Sequence, residues 1–217
     1  MRNLKRTLFF LLVIEAIFAF AVGLLTPIYA LYVENIGGQL IDAGIAWSIA
    51  AFVHATLQYP AGLLADRFSK KSFMLILIFG NAIIYYSLIF INSVGQLFIA
   101  EFFIGLFTAI GTPAYDGLFS KNLEPQKESQ QWGLWNTAYG YATAASALVG
   151  ALIVTLFKFQ GLFAITASLS FLAGIIVLIF IKEDDLGEII MVRSVRRLFR
   201  HKHYPSRITT FERERRK

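Results

Sequence analysis

Six apolar blocks leave this chain little choice of fold. They run from about residue 8 to 31, 41 to 64, 73 to 91, 97 to 119, 133 to 157 and 162 to 181. Each holds roughly 19–25 residues, enough for a helix to cross a hydrocarbon core about 30 Å thick. Strands with open edges would leave amides unpaired in lipid, so the blocks must be helical. The expected fold is an all-α membrane protein of six transmembrane helices. Residues 1–181 form the transmembrane domain and residues 182–217 a basic tail. The mean hydropathy of +0.62 and a 57% hydrophobic composition agree, because a soluble domain of 217 residues could not bury that much apolar surface.

The net charge of +6 does not point to nucleic acid, because the basic residues cluster in short loops and after Lys182. With the N-terminus inside, 19 of the 20 Lys and Arg residues fall on the inner side, and Lys158 is the exception. That bias predicts an N-in, C-in topology and a multi-pass location in the cell (inner) membrane. Arg2, Lys5 and Arg6 precede the first block as in a secretory signal. The block is too long for one and contains Glu15, so it is read as a retained span. Tyr29, Tyr32, Tyr59, Trp132 and Trp135 lie near span ends, where aromatic belts form. In the tail, Leu186, Ile189, Ile190, Val195, Leu198 and Phe199 alternate with arginines at roughly helical spacing. This predicts a basic amphipathic helix on the inner membrane surface, with disorder after Pro205.

Between the second and third blocks stands Gly62-Leu63-Leu64-Ala65-Asp66-Arg67-Phe68-Ser69-Lys70-Lys71, a turn too short for a domain. It resembles the loop signature of the major facilitator superfamily, G-x-L-a-D-r-x-G-r-k-x-x-l. Ser69 replaces the second Gly, Lys70 the usual Arg, and Met74 the final Leu. Thr26-Pro27-Ile28-Tyr29 resembles the outer end of that family's first helix, and the stretch from Gly105 to Asp116 resembles the inner half of its fourth. The resemblance covers about residues 8 to 181. It implies the N-terminal half of a major facilitator, two inverted three-helix repeats. It also implies an inner gate formed by Gly62, Asp66, Arg67, Lys70, Lys71 and Asp116. In that gate Asp116 is expected to pair with Lys70 or Arg67 and tie the second to fourth helices together.

Ionisable residues inside spans are rare and usually face a cavity or a partner helix. Here they are Glu15, His54 and Glu101. The first and fourth helices line the family's substrate cavity, so Glu15 and Glu101 are candidates for proton or cation coupling, with His54 beside them. Drug-type members carry an Arg at the Glu101 position, so an Arg-based coupling role does not transfer. Gly105, Gly140 and Gly150 are read as helix-packing positions, and Gly111-Thr112-Pro113 as a place where the fourth span bends or loosens. No Gly-Pro pair follows Gly150, so the antiporter mark is missing.

No catalytic constellation, phosphate loop or metal-spaced ligand set is present, so neither an enzyme nor a cofactor is expected. His201 and His203 lie two apart in the tail and are read as solvated. The resemblance implies secondary transport of an unidentified small solute by alternating access. Family members normally have twelve helices, so this chain is read as a homodimerising half, as the partner of a second six-helix chain, or as a truncated product. The alternative is a non-transporting membrane scaffold that uses the tail at the inner surface. The chain contains no cysteine, so single cysteines report topology directly. In intact cells an impermeant maleimide should label Asn92→Cys and spare Gln126→Cys until the membrane is opened; the reverse pattern would contradict the charge-based orientation.

Overall fold

An apolar chain with no water at hand satisfies its amides within its own helices. Helix is the only regular structure among the described residues, which are 2–182 of this computed structural model. The amphipathic helix and disordered end expected after Lys182 lie outside the described residues. The elements are α1 (Arg2–Gly23), a 3-10 turn (Thr26–Ile28), α2 (Tyr29–Asn35), α3 (Leu40–Ala65), α4 (Lys70–Ser87), α5 (Val94–Lys121) and α6 (Glu128–Phe180). Five of the described helical stretches are long and apolar enough to cross a membrane; α1 and α2 count as one of them.

The fifth stretch, α6, contains two of the apolar blocks. A straight helix of its 53 residues would be about 80 Å long. It is instead broken at Lys158, whose φ of 59° and ψ of −175° are not helical. Side-chain packing shows that the chain turns back there. Trp132 and Trp135 pack with Leu11, Tyr115 and Phe119 in one apolar cluster. Leu162 and Phe163 pack with Leu24, Tyr32 and Leu97 in a second. Val177 and Ile181 return to the first cluster, and the Phe180 ring stacks on Phe10 at 4.0 Å. Each of the other long stretches also contributes to both clusters. The chain therefore passes between the two clusters six times. Below, the end holding residues 66–69 is the turn end, and the other is the far end.

Small residues set how closely the helices approach. A Cβ on Gly105 would lie 2.5 Å from the Ala50 carbonyl oxygen, so α5 can meet α3 only without a side chain there. A Cβ on Gly150 would collide with the Leu24 carbonyl at the end of α1, and one on Gly111 with Leu77 of α4. Gly140 differs from the packing role expected of it: nothing among the described residues lies within 4 Å of an added Cβ. The helix α5 continues through Pro113. Thr112 Oγ donates to the Thr108 carbonyl at 2.8 Å just before it. Overpacking of this kind costs about 1–3 kcal/mol. Gly150→Ala should therefore lower thermal stability in detergent clearly, while Gly140→Ala should leave it within about 0.5 kcal/mol. Equal melting temperatures for the two variants would contradict the α1–α6 contact.

Candidate functional site

Two groups of polar side chains sit at opposite ends of the helices. At the turn end, α3 stops at Ala65; the Asp66, Arg67 and Phe68 amides satisfy the Gly62 and Leu64 carbonyls, and the Ala65 carbonyl needs another donor. Lys70 fills that need. Its side chain is buried, 7% exposed, and Nζ donates to the Ala65 carbonyl at 3.0 Å and to Asp66 Oδ1 at 3.1 Å. The stem lies over Gly117 of α5, where an added Cβ would meet Cε at 3.2 Å. Lys71 does the same for another helix, donating from Nζ to the Leu178 carbonyl in the last turn of α6 at 2.9 Å. A cation at a helix C-terminus is stabilised by both the free carbonyls and the helix dipole. The two lysines thus cap α3 and α6 from the first turn of α4. Ser69, which stands where the family signature has Gly, is the N-cap of α4 and accepts from the Ser72 amide at 3.3 Å.

The ion pair expected between Asp116 and Lys70 or Arg67 is not formed among the described residues; Lys70 pairs with Asp66 instead. The reason is local. Asp66 and Lys70 are four residues apart across the helix end, and the Lys70 ammonium is already held by the Ala65 carbonyl. Asp66 is 80% exposed at its side chain and Arg67 is exposed too, so both face away from the helices. A Cβ added at Gly62 would meet Pro113 of α5 at 3.5 Å, an ordinary contact, so an alanine fits there.

Asp116 keeps different company. It is half-buried and interacts electrostatically with Glu15 of α1, which also interacts with the Tyr115 hydroxyl. Tyr115 Oη donates to the Leu11 carbonyl at 2.7 Å. Glu15 therefore belongs to the turn end and not with the other two ionisable residues.

Glu101 and His54 share one cavity, one a turn before and the other a turn beyond the level where Gly105 meets Ala50. They line a cavity of about 300 Å³ between α1, α2, α3, α4 and α5. Glu101 is 5% exposed and accepts a hydrogen bond from Tyr29 Oη at 2.7 Å. Asn81 of α4, 1% exposed, also lines the cavity and donates from Nδ2 to Thr108 Oγ at 3.3 Å. Asn81 Oδ1 and His54 Nε2 are buried with no hydrogen-bond partner among the described residues. Gly105 is part of the same wall, so its close contact with Ala50 brings α3 and α5 together beside Glu101.

Sequence reasoning missed Asn81 and Thr108 and placed two tyrosines elsewhere. Tyr29 and Tyr32 were expected in an interfacial belt. Tyr29 turns to Glu101, and Tyr32 is buried, donating to the Leu88 carbonyl at 3.3 Å. A tyrosine near a span end has a hydroxyl that can be satisfied by water or by a buried acceptor, and here the acceptors win. Asn81 left a usable signal, being an amide in the middle of an apolar block. Trp132 and Trp135 pack on Phe119 with ring centroids at 4.8 and 6.3 Å.

Residues 11–209 match the sequence profile of the Major Facilitator Superfamily. That match runs on past the sixth apolar block into the segment set apart above as a tail. The chain is 27% identical over 162 residues to the uncharacterized MFS-type transporter YitZ of Bacillus subtilis, covering 73% of this chain and 97% of that relative. It is 23% identical over 188 residues to an uncharacterized MFS-type transporter of Methanocaldococcus jannaschii, covering 86% of this chain and 48% of the relative. It is 27% identical over 168 residues to the multi-drug resistance efflux pump PmrA of Streptococcus pneumoniae, covering 76% and 42%. The chain thus spans nearly all of the first relative and less than half of the other two. The match over most of its length, on an all-helical membrane framework with the charged turn between its second and third membrane-length helices, makes this chain a member of the Major Facilitator Superfamily.

Proposed function

We propose that the chain takes part in secondary transport of a small solute across the cell membrane by alternating access. The turn end faces inward, the six passes cross the membrane as two inverted three-helix repeats, and the Glu101 cavity receives the solute or its coupling cation. The observation that carries this reading is that cavity, in which a buried carboxylate stands among apolar walls near the far end of α5. A carboxylate held inside a membrane helix is costly and is kept where it has work to do. Support also comes from family membership and from relatives named as transporters or efflux pumps.

The inner gate in this reading is the 66–71 turn. Lys70 and Lys71 hold α3, α4 and α6 together, while Arg67 and the exposed side of Asp66, whose Oδ1 pairs with Lys70, are placed to meet a second six-helix body. Glu15 and Asp116, on α1 and α5 beside the gate, form a second acidic station on the way to the inner face.

The test is flux in everted vesicles energised by a proton gradient, using a panel of cationic, neutral and anionic fluorescent solutes. At least one solute should move in vesicles bearing the chain and its natural partner. Asp66→Asn and Glu101→Gln should each lower that flux by about tenfold or more, a barrier change of about 1.4 kcal/mol. Both variants should still insert at the normal level, and Asp66→Asn should melt within about 1 kcal/mol of the parent because the Asp66 side chain is 80% exposed and Lys70 keeps the Ala65 carbonyl. Flux unchanged by both substitutions would contradict the gating and coupling roles.

A further inference from the structure

The outer seam between α4 and the second limb of α6, which follows Lys158, has a charged end and a long apolar body. Lys71 stands at the charged end. Its Nζ donates to the Leu178 carbonyl, and it has no ion-pair partner among the described residues. An ammonium group has three N–H donors, so two are left for an anion. Further along, Phe79 of α4 packs over Gly174 of α6, where an added Cβ would meet its ring at 2.6 Å. The same ring lies 5.1 Å from that of Phe171. Beyond this contact the seam opens into a groove of about 400 Å³ lined by Ala82, Ile83, Tyr86, Ala167, Ser168 and Phe171. The buried alanines form its floor, and the exposed Ile83, Tyr86 and Phe171 side chains form its walls.

Depth and charge together name the occupant. Lys71 and Ala82 are eleven residues apart on one helix, a rise of about 16 Å. Half of a hydrocarbon core is about 15 Å. A phosphate held at Lys71 therefore brings the ends of its acyl chains to the level of the groove. A partner helix fits this seam poorly, because close helix contact needs small residues at the surface and here three large side chains stand out. A zwitterionic headgroup brings its own cation toward Lys71, whereas an anionic one does not. Arg6 offers a comparison at the same end of the helices. Its guanidinium lies 5.7 Å from the Phe10 ring and 6.0 Å from the Phe180 ring, on the α1 side of α6 and off the seam.

We propose that the α4–α6 seam is a binding site for an anionic phospholipid, with its phosphate on Lys71 and the end of one acyl chain in the groove. The proposal needs the membrane framework alone; transport plays no part in it, and binding is read without flux.

The test uses the absence of cysteine from the chain. Leu172→Cys carries one fluorophore beside the groove, next to Phe171 but outside the lining. Phe52→Cys carries it at an exposed apolar position of α3, away from the seam. Each full chain is placed in phosphatidylcholine vesicles containing rising fractions of phosphatidylglycerol, or of phosphatidylcholine, with a nitroxide near the acyl end. At Leu172→Cys the labelled phosphatidylglycerol should quench at about fivefold lower mole fraction than the labelled phosphatidylcholine, as expected for one lysine near a headgroup. At Phe52→Cys the two lipids should quench alike. Lys71→Gln should bring the ratio at Leu172→Cys to about one, while Arg6→Gln should leave it within about twofold. Ser168→Phe fills the groove from an exposed position and should weaken quenching by phosphatidylglycerol several-fold. Should Lys71→Gln fail to fold, the contrast between the two label positions and the Ser168→Phe result decide. Equal quenching by both lipids at Leu172→Cys, the same preference at Phe52→Cys, or an equal loss in Arg6→Gln would overturn the proposal.

Discussion

A polar group inside a membrane must find a partner within the protein, and the Lys70 ammonium shows how much structure one such requirement can fix. It lies where α3 ends, donating to the Ala65 carbonyl and to Asp66, with its stem over Gly117 of α5. That single side chain therefore fixes the end of one helix, the start of the next and the approach of a third. Lys71, reaching the Leu178 carbonyl, extends the arrangement to the last turn of α6. A turn of this length could join two helices with any residues that permit it. What makes this one specific is that its two lysines replace the water that helix ends would otherwise need.

The far end is organised by small residues more than by charge. Gly105 against the Ala50 carbonyl and Gly150 against Leu24 bring helix backbones into contact. In lipid, where apolar surface gains little from leaving the solvent, such close contact is a main source of helix association. Bringing α3 to α5 at Gly105 has a consequence one turn away. Glu101, four residues earlier on α5, and His54, four residues after Ala50 on α3, line the same cavity. Asn81 enters from α4 because α4 packs on α5 through Gly111 and Leu77 near the turn end and Gly80 and Phe107 further along. The polar lining of that cavity is thus a by-product of helix spacing.

The sequence made the large features legible. The apolar blocks fall in helices, five of them membrane-length among the described residues, since block length and backbone satisfaction in lipid admit no other regular structure. The charged turn was legible because its residues lie next to one another. Contacts between helices were not. Spacing along a helix tells which residues share a face, but the rotation of one helix against another is set by packing. Hence the Asp116 partner was expected to be Lys70 or Arg67, whereas Lys70 pairs with Asp66. Asn81 escaped for a different reason. Hydropathy registers a lone amide in an apolar block weakly, and only its Thr108 bond and unpaired oxygen reveal its place. The boundary between the two limbs of α6 was legible as well, because Lys158, where the helix breaks, falls between the fifth and sixth apolar blocks.

Alternating access requires that the same cavity open to each side of the membrane in turn. Ala51 lines the cavity beside Trp47 and His54, and the cysteine-free chain makes Ala51→Cys a unique reporter. In sealed vesicles of known orientation, an impermeant thiol reagent should modify this cysteine from either face. Modification from one face only, with the other face silent under every solute and gradient condition, would contradict the account.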